Sequence, residues 1–390
     1  MNTHTTGDRP AGRRGYLWWL LLIFGTALHA QHAPPVMPGD VFQPLPPGNY
    51  RVRLGSYDHA TATTTRPAAT ELSRRAQVWG TLRLTYRPAA HWQWQAGHQH
   101  HDFTQYESAD GLAALARTQT TRYLPTGTRF DVLTDRFAYQ DYYVGAAVRG
   151  TDRLWLGATL HYFRGQRAAL TERAYARLTR PTDGATPYLQ HHYRYRTSGY
   201  PAGDRPGRGW GLDFYLRYTP VARWHVDARL QGMGYLDWPG TAVRREAFGL
   251  APFDRRLPAG ADSADATRLL DGALDFTEST QAFRQSLPTQ IRLLLTHELS
   301  EGATLRAELR NDGYRARALT HYRLYYLHRW RALVLSGGGL LDARGRAGAL
   351  FGLGSRWGPV VVWCQYARSR AARWTRIGIY LTGRTHASAN

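Results

Sequence analysis

Hydrophobic and polar positions alternate with a period of two through most of this chain. In RLWLGATLHYFRG, residues 153–165, Leu154, Leu156, Ala158, Leu160 and Tyr162 share one parity, and Arg153, Trp155, Thr159 and His161 share the other. A strand built from it has two faces of opposite character. Val78, Gly80, Leu82, Leu84 and Tyr86 stand in the same way against Gln77, Thr81, Arg83 and Thr85, and Trp210, Leu212, Phe214, Leu216 and Tyr218 against Asp213 and Arg217. Trp224, Val226, Ala228 and Leu230 oppose Arg223, His225, Asp227 and Arg229. Further on, Ile291, Leu293 and Leu295 oppose Arg292, Thr296 and Glu298; Leu305, Ala307 and Leu309 oppose Arg306, Glu308 and Arg310. The last run sets Ile377, Ile379 and Leu381 against Arg376 and Tyr380.

These runs are about nine to thirteen residues long. Strands of soluble proteins cluster near five or six, whereas about nine to eleven tilted residues cross a bilayer. Short connectors (RPAAH, GTD, PVA, SEGA, HRW, WGP) alternate with longer polar segments, the arrangement of outer-membrane barrels with short periplasmic turns and long outer loops. The pattern predicts strands near 49–57, 76–87, 91–105, 136–149, 153–164, 209–219, 223–235, 287–299, 304–312, 318–327, 331–341, 346–356, 360–368 and 374–383, about fourteen in all. YLQHHYRYR, residues 188–196, also reads as a strand but falls in the outer segment 165–208, where a spanning strand would break the short-long alternation.

Arginine placement separates lipid from a protein core. Arg83, Arg153, Arg217, Arg223, Arg229, Arg292, Arg306, Arg310, Arg323 and Arg376 all take the parity opposite the apolar set. An arginine facing lipid at mid-depth costs about 2–4 kcal/mol, so a barrel wall segregates them this strictly. A secreted β-sandwich segregates them too, but with shorter strands around one shared core. Trp92, Trp94, Trp210, Trp224 and Trp357, near strand ends, fit interfacial girdles. The expected fold is all-β, a transmembrane antiparallel β-barrel of about fourteen strands over residues 49–383 with long outer loops.

Composition then sets the compartment. AGRRGYLWWLLLIFGTALHAQ has the charged, apolar and small-residue regions of a secretory signal, so residues 1–30 are expected to be cleaved on export to the outer membrane. Residues 31–48 form a Pro-rich start and 384–390 a tail. The net charge of +21 comes entirely from arginine, since the chain has no lysine. That balance alone suggests nucleic acid, but an exported chain does not meet it. Cys364 is the single cysteine, which excludes an internal disulfide framework; its setting VVVWCQY reads as a small apolar filler.

Residues 213–240, DFYLRYTPVARWHVDARLQGMGYLDWPG, carry a hairpin with a short Pro turn and the strand end Gly-Tyr-Leu-Asp-Trp at 234–238. With a leader ending in Ala-Gln and the Gly-rich hairpins LSGGGLL and LFGLGSRWGP, the chain resembles a family of uncharacterised outer-membrane barrels from Bacteroidota. The resemblance implies a barrel and no catalytic residues. The all-arginine charge and the tail THASAN, in place of a terminal aromatic, depart from it.

Candidate chemistry is sparse. The inward arginines, set against Asp213, Asp227, Glu298 and Glu308, predict a positive lumen that concentrates small anionic solutes, unless salt bridges or a plug pack it shut. The long insertion 236–286 holds Asp254, Asp262, Asp265, Asp271, Asp275 and Glu278 and a short helix near Ser263 with Leu269, Leu270 and Leu274 on its apolar side. It reads as a surface loop or as a plug that pairs its acids with lumen arginines. GHQHHDF sets His98 and His100 on one face beside His101 and Asp102, but fixes no third ligand, so no metal or other cofactor is expected. No nucleophile elbow, HExxH, P-loop or dinucleotide fingerprint occurs, and GSRWG lacks the Gly-x-Ser-x-Gly spacing, so an enzyme is not expected. Two functions follow: a pore for small anionic solutes selected by the inward arginines, or a non-conducting barrel that binds a protein partner, as a secretion or surface-assembly accessory, through outer loops 106–135, 165–208 and 236–286. Either way the surroundings are outer-membrane lipid and lipopolysaccharide.

Overall fold

The computed structural model describes residues 49–384 except 67–68, 183–184, 199–205, 262, 315–316, 343–344, 346, 358–359 and 370–371. The expected leader, the Pro-rich start and residues 385–390 lie outside the described residues. The first strands are β1 (Asn49–Arg66), β2 (Ala69–Ala89), β3 (Trp92–Ser108), β4 (Val132–Thr151) and β5 (Leu154–Thr179). They are followed by β6 (Tyr188–Ser198), β7 (Gly207–Tyr218), β8 (Trp224–Trp238), β9 (Val243–Pro252), β10 (Thr277–Thr280) and β11 (Phe283–Ser286). The last seven are β12 (Thr289–Ser300), β13 (Ala303–Tyr314), β14 (Arg317–Trp330), β15 (Leu333–Asp342), β16 (Ala347–Trp357), β17 (Val360–Ser369) and β18 (Ala372–Arg384). Among the described residues two α-helices, α1 (Asp110–Thr118) and α2 (Ser263–Asp271), lie in the long connections.

All strand pairs are antiparallel, and the ring closes where β1 pairs with β18 from Asn49 opposite Arg384 to Ala62 opposite Ala372. Closure removes both sheet edges, which a wall in lipid requires because its backbone groups have no water to turn to. Among the described residues the sheet has eighteen strands. Fourteen of them, β1–β5, β7, β8 and β12–β18, close the ring at the expected positions, and the other four lie in the outer segments. The first half of β5 pairs with β7, whereas its second half runs on past the ring to pair with β6. β6 then pairs with β9, and β9 with β10. β8 divides in the same way, pairing with β12 through Gln231 and with the short β11 from Tyr235.

The face opposite the arginines looks outward. Leu82, Leu84, Val144, Leu156, Leu160, Leu212, Ile291, Leu293, Leu324 and Phe351 are exposed in a continuous band, whereas Thr159, His161, Arg292 and Thr296 on the other parity are buried. Such a band on a closed sheet is a lipid contact. Cys364, the small apolar filler, belongs to it and is exposed beside Leu353.

The insertion 236–286 builds the outer end of the molecule. Its α2 follows the expected helix, with Leu270 and Leu274 buried and Leu269 packed beside them. Together with α1, β6 and β9 it encloses Leu112, Leu115, Phe130, Leu189, Tyr193 and Phe253 in an apolar cap. Three of the acids expected to reach lumen arginines pair elsewhere: Asp254 with Arg122 at 3.5 Å, Asp265 with Arg268 at 2.5 Å and Glu278 with Arg245 at 2.9 Å. These three make no gate against the lumen arginines.

Leu324, 55% exposed in the middle of β14, tests the lipid assignment. Leu324→Arg should lower the unfolding free energy in phospholipid vesicles by about 2–4 kcal/mol, read by urea titration with heat-modifiable migration as the folded signal. A change within about 0.5 kcal/mol, as for an ordinary water-exposed position, would argue that this face meets water.

Candidate functional site

The inward side chains of the ring form two stacked layers, aromatic toward the outer end and charged below it. Phe103, Phe137, Tyr139, Phe163, Trp238, Phe283 and Tyr314 are all buried in one cluster across the mouth. The ring of Phe103 lies 4.7 Å from Phe137 and 4.8 Å from Tyr314, and Tyr139 meets Phe163 edge-on at 5.5 Å. Trp238 is seated by sequence: a Cβ at Gly165 would fall 2.6 Å, and one at Gly207 2.9 Å, from its ring, so only glycine leaves room. Its Nε1 donates to Gln285 Oε1 at 2.9 Å, which satisfies the one polar atom of a buried indole.

Below the rings, β4, β5 and β7 bring three titratable residues together. His161 Nδ1 lies 2.9 Å from Asp141 Oδ1, and its Nε2 lies 3.2 Å from Asp213 Oδ2. Asp141 also stands 3.6 Å from His101 Nε2, and His101 stacks on Tyr139 at 4.4 Å. Asp213 has a second task. Its Oδ1 accepts from Gly232 N at 2.7 Å, and so holds a bulge in β8 where Gly232 takes φ +75°. Arg83 Nε donates to Tyr143 Oη at 2.7 Å, and Gln95 bonds Thr159 at 2.5 Å. Arg83, Gln95, Tyr143, Thr159, His161 and Asp213 close around a cavity of about 10 Å³, room for one water.

The ten arginines expected to line the lumen divide. Arg83, Arg229, Arg292, Arg306, Arg310 and Arg323 are buried inside the ring. Arg292 lies 2.8 Å and Arg323 3.7 Å from the shared carboxylate of Glu308, and Arg310 pairs with Asp312 at 3.0 Å. Arg217 is nearly as enclosed and faces Asp227 at 3.8 Å. Arg153 and Arg223 are instead exposed in the short turns after β4 and β7. Strand parity stops at a turn: Arg223 has φ +71°, and Arg153 bonds across to Pro220 O at 3.1 Å. The side chain of Arg376 lies outside what is described. Of the aromatics, Trp92 and Trp224 are exposed at the short-turn end, Trp94 two residues above it and Trp210 near the outer end, while the Trp357 side chain is outside what is described.

His98 and His100 face outward, His98 against the Tyr142 ring at 4.8 Å, and His101 faces inward. Asp102 is held by Arg167 at 2.7 Å. The four residues thus part company, and among the described residues no group of three or more His, Cys, Asp or Glu is arranged to hold a metal ion. The His161 cluster was not foreseen as a site. His161 and Asp213 were both visible as polar positions, but their meeting depends on the β5–β7 register.

The family model DUF5723, a family of unknown function, matches residues 80–364. The chain belongs to this family. No curated protein matches it. Among solved structures it is similar to the TodX deltaS2S3 mutant monoaromatic hydrocarbon channel, with a TM-score of 0.52, 13% identity, and coverage of 90% of this chain and 94% of that one. It is also similar to the Ralstonia pickettii toluene transporter TbuX, with a TM-score of 0.50, 12% identity, and coverage of 92% and 97%. At such identity the likeness establishes the fold: this family member is a transmembrane barrel.

Two predictions follow from the charges. Glu308→Ala should destabilise the folded barrel by about 3–5 kcal/mol, because it removes the carboxylate that two buried guanidinium groups share, whereas Glu308→Gln should cost less; urea titration in vesicles reads both. In the cap, Glu246 accepts from Arg194 at 2.6 Å, lies 3.0 Å from His192 and accepts from Arg244 at 2.5 Å. The Arg194 bond above all, then His192 and Arg244, hold its carboxyl down at about 2, from an ordinary 4.5. A depressed carboxyl contributes stability that is complete above 4.5 and lost as pH falls through 2. Pepsin should therefore spare β6 and β9 at pH 4 and cut them near pH 2, and Glu246→Gln should make them susceptible at both; equal cutting of the parent protein at both values would refute the assignment.

Proposed function

We propose that this protein is an outer-membrane channel for small apolar solutes, closed in the conformation described. The observation that carries the reading is the buried ring cluster of Phe103, Phe137, Tyr139, Phe163 and Trp238 across the mouth. A hydrated ion crossing that layer sheds water with nothing to replace it, whereas an apolar solute exchanges one apolar contact for another. Two structures that share the fold are described as a monoaromatic hydrocarbon channel and a toluene transporter, which supports a solute of this class. The outward apolar band and strand-only wall favour residence in an outer membrane.

The anion pore gains no such support. Its selectivity surface needs arginines facing water, and Arg292, Arg310 and Arg323 are buried against carboxylates. Binding of a partner by a non-conducting barrel is favoured by one feature, the folded cap with its own apolar core.

The test compares cells with and without the protein in the outer membrane for initial uptake of radiolabelled toluene, alongside planar-bilayer conductance of the purified barrel. The expected result is faster uptake, little ion current from the parent protein, and a raised current from the Phe137→Ala, Phe163→Ala double variant. Unchanged uptake with a correctly folded barrel would turn the search to partners of the cap. A steady anion-selective current that falls when Arg229 and Arg292 are neutralised would reinstate the anion pore.

A further inference from the structure

The lipid-facing wall is indented on one side. Across β3, β4, β5, β7, β8 and β12 it holds an apolar groove of about 670 Å³. Its depth comes from small side chains, Ala146, Ala158 and Ala228, set among Leu156, Phe214 and Leu293. Register makes these cross-strand neighbours: Ala146 faces Ala158, Ala158 faces Phe214, Leu216 faces Ala228, and Ala228 faces Leu293. The groove is therefore one surface and is continuous with the outward apolar band already identified as a lipid contact.

It opens toward the short-turn end of the barrel, beside two exposed arginines. Leu156 lies three residues beyond Arg153 and Ala228 five beyond Arg223, or about 10 and 17 Å along their strands. The Arg153 guanidinium reaches across to Pro220 O at 3.1 Å, and so stands at the turn that carries Arg223. Carboxylates nearby are engaged elsewhere, Asp152 with Arg149 at 3.0 Å and Glu298 with His225 at 3.1 Å. Arg223 also occupies the left-handed region at φ +71°, where glycine or asparagine is less strained, so the turn keeps a cation there against its backbone preference.

We propose that the groove and the two rim arginines form a phospholipid-binding site, with an acyl chain in the groove and the phosphate between Arg153 and Arg223. Two arguments fix the occupant. The groove belongs to the lipid interface, and the charge at its end complements a phosphate at the height where headgroups lie. The site is independent of what passes through the barrel.

Native mass spectrometry of the detergent-purified barrel, titrated with dioleoyl phosphatidylglycerol, tests it. The expected result is one retained lipid per barrel. The Arg153→Gln, Arg223→Gln variant should bind on the order of tenfold to thirtyfold more weakly. Filling the groove with Ala158→Trp, Ala228→Trp should abolish retention, while heat-modifiable migration shows the barrel still folded. Three outcomes overturn the site: retention unchanged in both variants, lipid lost in step with detergent exchange at no preferred stoichiometry, or a dimer of barrels that disappears when the groove is filled.

Discussion

A wall in lipid has to satisfy every backbone hydrogen bond within itself, and the pairing of β1 with β18 is what lets this one do so. Much else in the molecule follows from that closure. Once the sheet has no edge, each ring strand has one face toward lipid and one toward a limited interior, and side chains must sort by parity. Leu156 and Leu160 go out while Thr159 and His161 go in, from the same short stretch. The outward face needs only apolar surface, so its residues are interchangeable in kind. The inward face has to fill a volume and neutralise its own charge, and there the individual contacts matter.

Arginine is the main filler of the lower interior, and its energetics govern how it sits there. A guanidinium removed from water is tolerable only where carboxylates and hydroxyls take up its donors. Glu308 between Arg292 and Arg323, and Tyr143 beside Arg83, supply such partners. The same pairing that makes the arginines bearable takes up their donors and offsets part of the field that would have drawn anions.

The strand pattern was legible because parity is a local property, set by neighbours one and two residues away. The long β5 was only half legible: its first half borders lipid and shows clean alternation, but the second half borders the cap, where RAALTERAYARLT mixes apolar and charged positions on both faces. Helix α1 was missed inside 106–135 although Leu112 and Leu115, three residues apart in DGLAALART, carried a helical spacing. Arg153 and Arg223 were placed in the lumen by extending parity past the end of a strand. A residue at φ +71° no longer alternates with its neighbours, and no local pattern records where the turn begins. The His161 cluster lay further out of reach, since Asp141, His161 and Asp213 stand on three strands whose register is a tertiary fact.

The aromatic seal and the cap are mechanically one piece. Trp238 is the last residue of β8, and the insertion that supplies β9, α2 and β10 to the cap begins directly after it. Its ring rests on Gly165 of β5, the strand whose second half carries β6 and the rest of the cap sheet. Gln285, which accepts from the indole, ends the same insertion on β11. The indole cannot leave its seat without disturbing a residue at each end of the cap segment and the strand beneath it. Because packed interiors rearrange between discrete arrangements rather than yielding gradually, opening the mouth means shifting the cap. On the proposed reading, passage through the barrel is controlled from the cap side.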